Sequence, residues 1–252
     1  MKNEPKEIWI SEKKLRHKTI IAFAGFFAFV AAAIFFWQWI HKQPEIAEAP
    51  TPVRRVLELN ETFFSTFLRD NHLAPTYPRS AAVKHARVNG NIGLKSSFDT
   101  AAWKLKLVRR PGDTLSISLN DIRSLPKTEI VFNFKCIEGW SQMTDWAGVK
   151  FSDFAKKYGL DTQAQMKYVA LVTPDKEYYV GIDMPSMLHP QTLLCYELNG
   201  KPLPLDQGYP LRLIIPVKYG IKSLKRIGTL SFSNERPPDY WYERGYDYYS
   251  GL

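Results

Sequence analysis

Ile130-Val131-Phe132-Asn133-Phe134-Lys135-Cys136-Ile137-Glu138-Gly139-Trp140-Ser141 reads as an apolar, β-prone strand that ends in a cysteine. The backbone then turns through Gly139, with an aromatic ring and a hydroxyl beside it. A thiolate at a strand end is well placed to ligate one soft or high-valent metal. The chain has only two cysteines, Cys136 and Cys195, with no second cysteine near the first. Zinc and iron–sulfur centres need clustered ligands, so both readings are poor. A bridge between the two cysteines would consume the ligand, and Cys195 reads as core packing. One protein sulfur on a metal otherwise held by an organic cofactor stays open, as does a buried small hydrophobe, the usual state of a free cysteine.

Outward from this strand the signals are mostly β. Ala102–Val108 and Leu115–Leu119 alternate as half-buried strands, and Asn120 is placed to cap a short helix over 121–125. Phe151–Tyr158 reads as a helix capped by Ser152 or its neighbours and stopped by Gly159. Tyr168–Val172 and Tyr178–Ile182 are strand-like across a turn at Thr173-Pro174-Asp175-Lys176. Leu193–Leu198 runs into Asn199-Gly200, a hairpin turn. Leu211–Ile215 and Ile227–Phe232 complete the set, and Leu57–Leu68 has helical spacing before Pro75 and Pro78. The expected fold is a mixed, strand-rich α+β domain over 57–252.

The first 56 residues read differently. Thr19–Ile40 has no charge and is long enough to cross a bilayer as a helix, with Trp37 and Trp39 at its end. Residues 1–18 carry Lys2, Lys6, Lys13, Lys14, Arg16 and Lys18. The positive-inside rule keeps that side cytoplasmic, which places the domain outside as a single-pass inner-membrane protein facing the periplasm. A cleavable signal is the rival, with Ala47-Glu48-Ala49 as a cut site. Lys13-Lys14 and Arg16-His17 offer no adjacent arginine pair of the kind that routes folded, cofactor-loaded proteins outward. Residues 41–56, with Pro44, Pro50 and Pro52, read as an extended linker. The formal net charge is +9. Part of it flanks the apolar span. Another part, Lys218, Lys222, Lys225 and Arg226, clusters around a glycine turn at Gly220 and suits a phosphate-bearing cofactor.

From about Phe63 onward the chain resembles the sulfite-oxidase-like oxidoreductase molybdopterin-binding domains, on several motifs in order. Asn71-His72-Leu73-Ala74-Pro75 is similar to the family's Arg-Asn-His-Leu-Pro, with Asp70 where the sulfite enzymes have arginine and Arg69 one position earlier. Cys136-Ile137-Glu138-Gly139-Trp140-Ser141 resembles the methionine-sulfoxide reductase type more than the sulfite oxidases, which carry Gly-Asn-Arg after the cysteine. Two anion-binding charges of the sulfite enzymes are thus missing. Thr173 matches a cofactor-contacting threonine. Gln207-Gly208-Tyr209-Pro210-Leu211-Arg212, followed by Lys218, Lys222, Ser223, Leu224 and Lys225, resembles the pocket for the cofactor's phosphate.

This resemblance implies a molybdenum–molybdopterin cofactor, with or without a nucleotide extension, held by Cys136 as metal ligand and catalytic residue. Asn71, His72, Thr173, Gln207, Arg212, Lys218, Lys222, Ser223, Leu224 and Lys225 would contact the cofactor. It implies two-electron oxygen-atom transfer on a small sulfoxide- or N-oxide-like substrate. With no haem motif and no nicotinamide loop, electrons pass through a separate redox partner, for which a membrane b-type cytochrome is natural. The alternative is a membrane-tethered binding module with a degenerate, empty cofactor site. A nucleic-acid or anionic-lipid binder leaves Cys136 unexplained, and no nucleic-acid partner is expected. In relatives the aromatic tail from Arg236 to Tyr249 borders the substrate funnel; a plain C-terminal strap is the other reading.

Overall fold

The computed structural model describes residues 11–67, 71–95 and 97–251. Arg69 and Asp70, like Lys2, Lys6 and Leu68, lie outside the described residues. The chain opens with α1 (Glu12–His41), which is long and apolar enough to cross a membrane and buries none of its residues. The stretch read as a linker is more ordered than its prolines indicate. It forms a hairpin of β1 (Glu45–Ile46) and β2 (Ala49–Pro50) and the first turn of α2 (Thr51–Phe67). The Thr51 amide and hydroxyl both donate to the Pro44 carbonyl, at 2.8 and 2.6 Å. Pro52 sits in the first turn, where its missing N–H costs nothing.

The domain then runs through β3 (Leu105–Arg110), β4 (Asp113–Ile117), α3 (Leu119–Arg123), β5 (Lys127–Lys135), β6 (Ser141–Lys150) and α4 (Phe151–Lys157). After these come β7 (Tyr168–Val172), β8 (Tyr179–Asp183), α5 (Met184–Leu188), β9 (Leu193–Leu198), β10 (Lys201–Pro202), β11 (Arg212–Ile214) and β12 (Thr229–Ser233). It is a mixed α+β, strand-rich domain. One sheet has the order β10-β9-β6-β5, with β11 also on β9; the other is β4-β3-β12-β7-β8. Among the described residues only β12 and β3 run parallel, which requires the long excursion between them. The main core includes Leu105, Leu107, Val149, Phe154, Val169, Leu171, Leu194, Leu213 and Leu230; a second cluster, around Phe132, Trp146, Leu193 and Ile214, packs beside it.

Local details depart from the sequence reading for simple reasons. The cap of α3 is Ser118, two residues before Asn120, because Asp121 closes a capping box with it. Helix α4 starts without a side-chain cap, Lys150 taking the N-cap position in place of Ser152. Strand β6 has no apolar alternation, yet pairs with both β5 and β9. Asn199 and Gly200 both take positive φ, as a tight hairpin demands. Beyond β12 the chain is a strap without strands over 237–249, pinned by Tyr248, whose phenol donates to the Pro237 carbonyl at 3.0 Å. That phenol lies so close to Gly181 that a Cβ there would sit 1.8 Å from it.

Candidate active site

Strands β5 and β6 form a hairpin paired from Lys127↔Val149 to Lys135↔Ser141, so Cys136 begins a loop of five residues. The loop closes on itself. The Cys136 amide donates to the Trp140 carbonyl at 2.9 Å, and Gly139, at φ +87°, donates back to Cys136 at 3.1 Å. Cys136 is buried and free, and its sulfur accepts from the Asn89 side chain at 3.6 Å. Cys195 is also free, fully buried in β9, and burial pushes its thiol far up. The first behaves as a presented sulfur, the second as packing.

Cys136 opens onto a cleft. Trp140, Ile137, Trp241 and Tyr246 give it aromatic and apolar surface, and Gln207, Arg212, Ser223 and Lys225 give it a basic side. Arg87, Asn89 and Gly90 complete the lining near the sulfur. Hydrogen bonds from Asn89 and Trp140 hold the Glu138 carboxyl below the usual range. Arg87 stacks 4.7 Å over Trp140.

The basic side is built in layers. Arg212 lies buried on β11, donating to the Gln207 side chain at 2.9 Å and to the carbonyls of Gln207 and Ser223, with its plane 4.4 Å over Trp146. Gln207 in turn donates to the Arg87 carbonyl at 3.2 Å and so fixes the wall that carries Asn89. Among the described residues no carboxylate pairs with Arg212. Burial lowers its pKa to about 10. Lys225 is lowered to about 8, by burial and then by Arg212. Its ammonium donates to the carbonyls of Asn89, Gly90 and Asp206 at 2.9, 3.0 and 3.0 Å. All three of its protons are thereby engaged, so it acts on a ligand as charge rather than as a directed donor.

Among the described residues, two atoms of this site have no partner: Nε of Arg212 and Oγ of Ser223, both buried. A buried unpaired donor and an uncompensated guanidinium are each costly, and one anion accepting from both removes the two costs together. The residues present therefore fit a phosphate-bearing group that reaches from the basic side toward Cys136.

Other positions singled out in the sequence lie elsewhere. Lys218 is buried against Asp183 at 2.8 Å and donates to the Tyr249 carbonyl; Lys222 is buried against Asp239. Neither lines the cleft, because each ammonium is turned inward onto a carboxylate. Leu224 is core, contributing its carbonyl to Leu213. Thr173 is buried in its turn, donating to Asp175 at 2.6 Å and accepting from the backbone N–H of Tyr178 at 3.1 Å; Tyr178 lines the cleft and Thr173 does not. His72 borders a separate recess with Phe132 and Lys135, and Asn71 is exposed. Arg87 and Asn89 went unnoticed in the sequence. Their only local signal is the turn-like Asn89-Gly90, which says nothing about a sulfur 47 residues away.

Comparison with known proteins places these features in a family. A model described as oxidoreductase molybdopterin binding domain matches residues 91–241. A putative protein-methionine-sulfoxide reductase subunit of Azospira oryzae is 36% identical over 183 residues, covering 72% of this chain and 69% of the relative. The protein-methionine-sulfoxide reductase catalytic subunits MsrP of Campylobacter jejuni and Xanthomonas campestris are 30% and 33% identical, covering 60% and 56% of this chain. The chain spans only 55% and 48% of those two relatives. The sulfane dehydrogenase SoxCD from Paracoccus pantotrophus matches with a TM-score of 0.49 at 17% identity, over 66% of this chain and 46% of that one.

Proposed function

The chain belongs to the oxidoreductase molybdopterin-binding domain family, and on that premise we propose that it is a membrane-anchored, molybdenum–pterin-dependent reductase of small sulfoxides, methionine sulfoxide first among them. The observation that carries this reading is one cleft holding a presented sulfur, Cys136, and two orphaned donors, Arg212 Nε and Ser223 Oγ. When bound, the cofactor supplies two-electron oxygen-atom transfer. The chain supplies the rest. Cys136 offers a thiolate to the metal, and the donated Asn89 N–H orients that sulfur. Arg212 and Ser223 hold the phosphate end, and Lys225 adds charge. Trp140, Trp241 and Tyr246 wall the mouth against water. Glu138, kept ionised beside Cys136, is an unfavourable neighbour for sulfite and tolerates a neutral sulfoxide. Names of the relatives favour the same substrate class.

Reduction of a sulfoxide to sulfide and water consumes two electrons and two protons. The electrons come from a separate redox partner, for which a b-type cytochrome in the same membrane suits a domain tethered by α1. Cys136→Ser is expected to lose molybdenum and sulfoxide reduction from an artificial donor while keeping its thermal unfolding transition. Retention of metal and full turnover would reject the ligand role. Absence of molybdenum from the unmutated chain, after adequate cofactor supply, would favour the binding-module alternative.

A further inference from the structure

Helix α2 has two faces of opposite character, and the domain uses one of them. Arg54, Glu58, Glu61 and Phe64 are three and four apart, so they share a side. Arg54 is 1% exposed and donates to the carbonyls of Ile46, Ala47, Tyr242 and Tyr246 at 3.1, 2.7, 3.0 and 2.8 Å. Glu58 and Glu61 pair with Arg236, and Glu61 accepts from the Tyr168 phenol at 2.9 Å. Phe64 stacks on Tyr249. This side fastens α2 to the C-terminal strap.

The other side is apolar. Val53, Val56 and Leu59, three residues apart, are 37, 60 and 65% exposed, and Phe63 extends the stripe at 59%. A contiguous apolar stripe on a helix whose polar side is already occupied marks an interaction surface. Its place in the chain identifies the occupant. Helix α1 ends in Trp37 and Trp39, residues that prefer the headgroup layer. The Gln43 side chain donates back to the Trp39 carbonyl at 3.2 Å, and Thr51, the first residue of α2, donates twice to Pro44. Helix α2 therefore starts where α1 leaves the bilayer.

We infer that α2 lies in the plane of the lipid surface, with Val53, Val56 and Leu59 set into the headgroup–acyl boundary and the polar side carrying the domain. The inference rests on the anchor reading of α1. It has a functional consequence. The strap gripped by Arg54 delivers Trp241 and Tyr246 to the Cys136 cleft, so lipid contact along α2 fixes how that cleft faces the membrane.

The full chain would be reconstituted into phosphatidylcholine–phosphatidylglycerol vesicles containing a lipid with an acyl-chain diazirine. After irradiation, adducts would be mapped by mass spectrometry. The expected result is adducts on α1 and on the Val53–Leu59 side of α2, and none on Leu205 or Val88, which are comparably exposed on the domain. Val56→Glu with Leu59→Glu should lose the α2 adducts and keep those on α1, with unchanged thermal unfolding. Labelled α1 with unlabelled α2 overturns the inference and leaves the anchor standing. Unlabelled α1 overturns both. A photo-crosslinking residue at position 59 that captures protein instead of lipid in native membranes overturns the lipid assignment.

Discussion

The hydroxyl of Ser223 is buried without a partner, and the unloaded chain bears the cost of its lost water contacts. Ser223→Ala should therefore leave the unloaded chain unchanged, or up to ~1 kcal/mol more stable, in denaturant titration. The same substitution should weaken cofactor retention by about five- to tenfold on dialysis, the worth of one hydrogen bond. A stability loss without a retention loss would make Ser223 structural only. Lys225 gives a pH signature. Its pKa is lowered to about 8 in the fold by burial and by Arg212. Between about pH 8 and the ordinary lysine range the folded chain binds fewer protons than the unfolded one, so stability rises with pH across that window. Below about 8 the penalty is complete. Across this window the melting temperature of the unloaded chain should rise more steeply with pH than that of Lys225→Met. Lys218, also lowered to about 8 by burial, is common to both and cancels. Parallel curves would exclude the assignment.

Among elements, the strap depends on a pair that local sequence hides. Lys222 and Asp239 are each 1% exposed and bound to one another. Lys222→Met strands a carboxylate in the interior and should cost ~3–5 kcal/mol, partly recovered by adding Asp239→Asn. Thermal unfolding of the single and double variants checks this; equal losses would mean the pair is not coupled. The same pair shows where sequence reading stops. Strands β5, β7, β9 and β12 were legible because branched and aromatic residues concentrate in them. Strand β6 was not, because Thr144 and Asp145 are polar and buried, and one Asp145 oxygen is paired by Arg79, 66 residues away, which no local pattern connects. In the cleft, Cys136, Gln207, Arg212, Ser223 and Lys225 do come together. Lys218 and Lys222 share their spacing and composition with Lys225, yet turn toward Asp183 and Asp239. Which lysine meets a carboxylate is decided by strand order, and that is tertiary information.

For the whole molecule, the cleft draws on more chain than the matched domain. Arg87, Asn89 and Tyr246 line it from outside residues 91–241. Arg54, further out, holds the strap that brings Tyr246 in. Arg54→Met leaves four carbonyls without their donor and should cost about 2–4 kcal/mol in thermal or denaturant unfolding. It should also raise KM for a sulfoxide more than it lowers kcat, with molybdenum content unchanged. A uniform loss of metal would show instead that the strap supports the cofactor. Finally, a single ammonium at Lys225 sews residues 89, 90 and 206 into one seam. The polypeptide thus meets the ordering entropy of that rim while it folds, and maturation becomes a docking event onto a prepared edge rather than a refolding of the protein around its guest.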